Sequence, residues 1–152
     1  MTFEDLPTTP RSEELLDKAF SRASRAGRAK TGVEAQQSML QTSSNILSDN
    51  LHNVVSSWPD FDSVDPFYYE LADAIVDVDR LREALSQVTW ASQKTHSLGR
   101  EYQGKLPRGN VDEARKIRKQ GFARMGSVIR QIEDDLRYIG DARDALRDLP
   151  DI

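Results

Sequence analysis

The sequence predicts an all-α protein, an antiparallel up-and-down helical bundle of three long helices and a shorter N-terminal one. Apolar residues recur at threes and fours through most of the 152 residues, the spacing that lays a single stripe along a helix. No segment alternates with the period of two that marks a half-buried strand, and there is no internal repeat. Amphipathic rods of this kind must cover their stripes with one another, and short connections make sequence neighbours antiparallel. The simplest organisation at this length is one domain, residues 1–152, with its own core.

Residues 1–11, with two prolines and three threonines, read as an irregular lead-in. Ser12 is the expected N-cap of the first helix, with Glu13 and Glu14 favourably placed against its dipole. Leu15, Leu16, Ala19, Phe20 and Ala23 mark its apolar face, and Gly27 or Gly32 can end it. A second helix runs from about Val33 on the stripe Met39, Leu40, Ile46, Leu47, Leu51, Val54, Val55 and Trp58, until Pro59 stops it. Asp65-Pro66 is a start signal, a capping carboxylate followed by proline at the first helical position. From Phe67 to Leu98 the spacing holds with no Gly or Pro, so one rod continuing to Tyr102 is expected, about 55 Å long. Asn110-Val111-Asp112-Glu113 has the form of a capping box and opens a fourth helix that reaches Pro150. Gly121, Gly126 and Gly140 weaken that helix locally or let a neighbour approach closely.

Composition removes several functions. With no cysteine there is no disulfide, no thiolate zinc site and no cysteine nucleophile. No apolar run approaches the roughly 20 residues of a membrane span, and the N-terminus lacks the pattern of a signal peptide, so a cytoplasmic protein with no membrane partner is expected. Gly99 to Leu106 imitates G-x-x-x-x-G-K but puts Leu106 where a phosphate loop needs Ser or Thr for magnesium, and Gly104 reads instead as a helix C-cap. His52 and His96 lack the Glu-x-x-His spacing of a metal-carboxylate bundle and read as surface or boundary residues. No G-x-S-x-G elbow is present, and Lys30-Thr31-Gly32 has no S-x-x-K companion. No catalytic residue, metal ligand or cofactor site is assigned.

Charge carries the positive signal. The chain is acidic, with a net charge of -4. Residues 34–83 hold ten acids and two bases, hence -8, whereas residues 94–130 hold ten bases and three acids, hence +7. Residues 11–30 sum to +3, and from Ser21 to Gly32 there is no carboxylate at all. A charge run ordinarily means a solvated face. Two acid-depleted strips in an acidic chain favour a phosphate-binding surface, because Arg forks two donors onto a phosphate and clustered cations release counterions from nucleic acid. Candidate contacts are Arg22, Arg25, Arg28 and Lys30 in one strip, and Arg115, Lys116, Arg118, Lys119 and Arg124 in the other. An antiparallel pair puts the end of the third helix beside the start of the fourth, so the second strip is expected at one pole of the bundle. The aromatic group Trp58, Phe61, Phe67, Tyr68 and Tyr69 has acidic neighbours that repel phosphate, and reads as core and hydrophobic staple.

Three segments resemble a known family. They are Trp58 to Val88, with Pro66-Phe67-Tyr68, Leu71 and Ala84-Leu85; the basic run into Arg124-Met125-Gly126-Ser127-Val128-Ile129; and the close ending in Leu149-Pro150. Together they are similar to the N-terminal helical region of the nucleolar-type (Nog) GTP-binding proteins among the Obg-like GTPases, in an archaeal version. The resemblance implies a part in assembling the large ribosomal subunit, with the helical domain docking on ribosomal RNA in the subunit precursor. In the alternative it docks on ribosomal proteins or regulates its own GTPase domain, using the acidic segment Asp60 to Glu83. In that family the phosphate loop follows soon after the Leu-Pro. Since this sequence ends at Ile152, the GTPase domain, with its GTP and magnesium, is expected to lie outside it.

Overall fold

The computed structural model describes residues 3–149. Among them are six α-helices, one short 3-10 turn at Phe61–Ser63, and no strand. The helices are α1 (Ser12–Arg28), α2 (Gly32–Ser56), α3 (Pro66–Ile75), α4 (Val78–Gly104), α5 (Val111–Gln131) and α6 (Glu133–Leu146). The all-α bundle is as the periodicity predicts. α1, α2, α4 and α5 run alternately up and down, and α6 carries α5 onward beside the start of α4.

α2 is the central rod, packed against α1, α4 and α5. Its buried face includes Ser43, Ser44 and Ser48 as well as Leu40, Leu47 and Leu51. Small side chains let three neighbours crowd one helix, and the hydroxyls donate back to carbonyls of their own helix, Ser43 Oγ to Met39 O at 2.8 Å for example. The closest approach is between α2 and α4, where a Cβ added to Gly99 would stand 2.1 Å from Ser44 Oγ. α2 and α5 run in the same direction and meet across the diagonal, where a Cβ on Gly121 would come within 2.7 Å of the Leu40 side chain. Close approach is therefore the use of Gly121, whereas the added atom at Gly126 meets only Arg130 of its own helix.

The structure corrects the sequence reading at several points. The third rod is not continuous, because Val76 is extended (φ -129°, ψ 161°) and separates α3 from α4. Polar groups hold the break. The Asp77 carboxylate accepts from Arg80 N at 3.1 Å, Asp73 accepts from Val78 N at 3.1 Å, and the Asp77 N–H donates to Tyr138 Oη at 2.9 Å. The turn rotates α3, so Tyr68 and Ala72 are buried while Phe67 and Ile75 are exposed, and Phe67 is not core. The fourth rod is likewise divided at Ile132, which leaves helical geometry (φ -99°, ψ 15°). Ser12 is the first residue of α1 rather than its cap. Arg11 occupies the cap position, and Glu133 of α6 accepts the Ser12 N–H at 2.9 Å. α1 ends at Arg28, and Gly32 opens α2 instead of closing α1. Gly104 is the last residue of α4, with Lys105 continuing in right-handed geometry, so it is not a left-handed cap.

Other boundaries are as expected. Asp65 Oδ1 accepts from Phe67 N at 2.9 Å, and Asn110 Oδ1 from Glu113 N at 3.1 Å. The lead-in is irregular but anchored: Phe3 and Leu6 are buried, and Phe3 lies 6.1 Å from the Phe61 ring and 6.4 Å from Trp58.

Candidate nucleic-acid interface

Four helix ends gather at one pole of the bundle, the C-termini of α1 and α4 and the N-termini of α2 and α5. Two contacts fix this. A Cβ on Gly32 would lie 3.9 Å from Val111, and Arg118 Nε donates to Gln36 Oε1 at 3.0 Å. The two cationic strips, some 80 residues apart in sequence, are thereby neighbours in space. An open cleft of about 640 Å³ lies between them, with Arg28 and Lys30 on one side and Arg115 on the other. Segments 21–36 and 94–124, which build this half of the molecule, contain thirteen cations and four acids, hence +9.

Few of these cations are neutralised. Among the described residues the pairs at this pole are Arg115–Asp112 at 3.2 Å and Lys105–Glu101 at 3.3 Å, both between exposed side chains of one helix and so of small energetic weight. Arg22, Arg25, Arg28, Lys30, Lys116 and Lys119 are exposed and make no ion pair or hydrogen bond with another described side chain. Arg118 is different. It is half-buried, bound to Gln36, and its guanidinium lies 5.1 Å over Phe122, which in turn stacks on Phe20 of α1 at 4.5 Å. Burial, and then the charge of Arg115, push its pKa below the usual arginine value.

The sequence-selected residues do not form one patch. Arg28, Lys30 and Arg115 line the cleft. Lys116 and Lys119 lie on the exposed side of the first turns of α5, while Arg25 and Arg22 sit about one and two turns down α1. Arg124 stands apart, about 20 Å along α5 from Val111, donating to Tyr102 Oη at 3.3 Å. Sequence reasoning missed Gln36, which is buried at the cleft, and Lys105, whose ammonium lies 4.5 Å over the Tyr102 ring at the same pole. A buried glutamine leaves no mark on an apolar stripe.

The Gly99 to Leu106 segment is the last turn of α4 and the start of a loop, with no strand before it. His52 and His96 are exposed, and among the described residues no three potential metal ligands come together. No described helix is long and apolar enough to cross a membrane.

Residues 3–152 match the family described as the NOG1 N-terminal helical domain. The chain belongs to that family. Relatives agree across its length. An uncharacterized protein of Methanocaldococcus jannaschii is 27% identical over 158 residues, covering 97% of this chain and 45% of that protein. Nucleolar GTP-binding protein 1 of Eremothecium gossypii is 22% identical over 161 residues, and its namesake in Saccharomyces cerevisiae is 20% identical over 162, each covering all of this chain and 25% of the relative. The chain thus spans less than half the length of the curated relatives it matches. What it contains is the NOG1 N-terminal helical domain. In this NOG1 domain the Asp65-Pro66-Phe67 start and the Arg124 to Ile129 segment fall at the head of α3 and in the second half of α5.

Proposed function

We propose that this chain is a non-catalytic RNA-docking domain of a GTP-binding protein that acts in assembly of the large ribosomal subunit. The observation that carries the reading is the meeting of two cationic strips, most of their charges without an acidic partner, at one pole of an acidic bundle. A polyanion is the partner such a pole attracts, because each phosphate neutralised releases counterions and the contact forms without desolvating existing ion pairs. The names of the eukaryotic relatives, which carry nucleolar and GTP-binding, favour ribosomal RNA over other polyanions. GTP and magnesium belong to the domain outside this chain, and the protein acts wherever the subunit precursor is assembled.

The test is binding to structured fragments of large-subunit ribosomal RNA. Affinity is expected to fall steeply with salt and to drop when Arg28, Lys30, Arg115, Lys116 and Lys119 are changed to Gln. Equal affinity for the variant, or no binding at low ionic strength, contradicts the proposal.

A second reading rests on α3. Phe67 and Ile75 are exposed on a helix flanked by Asp65, Glu70 and Asp73, an apolar and acidic surface suited to a basic ribosomal protein or to the chain's own GTPase domain. A partner retained after RNase treatment and lost on Phe67→Ser favours this reading.

A further inference from the structure

The cleft between α1, α2 and α5 has features that a merely cationic surface lacks. No carboxylate lines it. Gln36, only 5% exposed, lies in its wall. The carboxamide oxygen of Gln36 is held by Arg118 Nε at 3.0 Å, which fixes the orientation of the amide. Its nitrogen has no acceptor among the described residues and is not closed off from solvent, so the cleft wall carries a donor free for a ligand. At the mouth α2 begins, with Thr31 as an N-cap whose hydroxyl makes no capping bond and Gly32 in left-handed geometry (φ 64°). The first N–H groups of α2 therefore stay open beside Arg28, Lys30 and Arg115, with the positive end of the helix dipole among them. Every polar group here can donate, and the group that fits is a phosphate.

A phosphate alone does not fill the space. At about 640 Å³ the cleft is in the range of pockets that take whole small molecules, about 300–1,000 Å³. The side chain of Met39 and the methyl of Ala35 add an apolar wall. We propose that the cleft seats one unpaired nucleotide of an RNA strand, with the phosphate on Arg28, Lys30, Arg115 and the Gln36 amide and the nucleoside against Met39. A base locked in a duplex cannot enter, so the site selects a bulged or looped nucleotide. The proposal rests on the RNA-docking reading and adds a structural preference to it.

Two hairpins of equal length, each closed by a non-nucleotide linker so that no looped base is present, test this, one fully paired and one with a single bulged 2-aminopurine. The bulged RNA is expected to bind about tenfold more tightly than the paired one and to change its fluorescence on binding. Gln36→Glu keeps an oxygen for Arg118 but turns a donor into an anion; Ser24→Trp fills the exposed side of the cleft without changing charge. Either is expected to abolish the tenfold preference and the fluorescence change; Ser24→Trp should leave paired-hairpin binding within about twofold, whereas the new negative charge of Gln36→Glu also weakens it. Having two variants guards against one failing to fold, which thermal melting would reveal. Equal binding of the two hairpins by wild type, or a preference that survives both variants, overturns the nucleotide site and leaves general RNA docking standing. Failure of both hairpins to bind at about 50 mM salt removes the docking reading itself. Adenosine monophosphate alone is expected to bind at least about tenfold more weakly than the bulged RNA, since it lacks the flanking contacts. Equal or tighter binding would make this a free-nucleotide site and overturn the assignment to RNA.

Discussion

At one end of the bundle Arg11, Arg80, Arg130 and Arg143 reach across to acceptors on other elements; at the other end Arg28, Lys30, Lys116 and Lys119 reach none. Arg11 Nε lies 2.7 Å from Glu133, Arg80 meets Asp135 at 2.9 Å and sits 5.1 Å over Tyr138, Arg130 meets Glu13 at 3.0 Å, and Arg143 donates to Leu6 O at 2.9 Å. These arginines tie the lead-in, α1, α4 and α6 together where α3 and α6 depart from the regular bundle. The cations of the other pole tie nothing. Residue type is alike in the two places, and what separates them is whether the fold supplies a partner. Cations left without partners inside an acidic chain repel one another, so their presence points to a ligand rather than to stability.

The comparison can be broken by removing partners at each end. Glu133→Ala should have the largest effect on stability. It leaves the N–H of Ser12, a residue 3% exposed, without its acceptor and frees Arg11, for a loss of about 1–2 kcal/mol by chemical denaturation. Unchanged stability would mean that the tied pole is not tied. Acid should expose the same group. Its hydrogen bond from Arg11, then that from Ser12, hold the Glu133 carboxyl at about 2, below an unfolded value of about 4.3. A depressed carboxylate contributes stability that is whole above its unfolded pKa and is lost as pH falls toward its folded one. Melting temperature should therefore drop between about pH 4.3 and pH 2, and Glu133→Gln should flatten that part of the curve. Arg130→Gln breaks an exposed pair and should cost less than about 1 kcal/mol. Lys116→Gln with Lys119→Gln should move stability least, within about 0.5 kcal/mol and upward if at all, because it relieves repulsion. A clear loss there would make the free pole structural.

Much of the fold is legible in the sequence because long apolar stripes are its strongest signal. The interruptions at Val76 and Ile132 are not, since spacing continues in phase across both, and Tyr138, which accepts the Asp77 N–H, is far away in sequence. Asp77 could have been read as a second N-cap, but an unbroken stripe outweighs one aspartate. The cations of the interface were legible as acid-free strips. Their meeting was not, because it depends on α2 and α5 touching across the diagonal of the bundle. Gln36 carries no sequence signal at all; only burial and the bond from Arg118 reveal it.

The central claim is that one pole, and not the other, holds RNA. Its most direct test compares the salt dependence of RNA binding for wild type, for the Gln variant of Arg28, Lys30, Arg115, Lys116 and Lys119, and for a Gln variant of Arg130, Arg137 and Arg147. With each lost phosphate contact contributing about 0.7–0.9 to the slope of log affinity against log salt, the first variant, which removes five, should flatten that slope by about 4, and the second should leave it unchanged. Equal flattening by both variants, or by neither, would contradict the account.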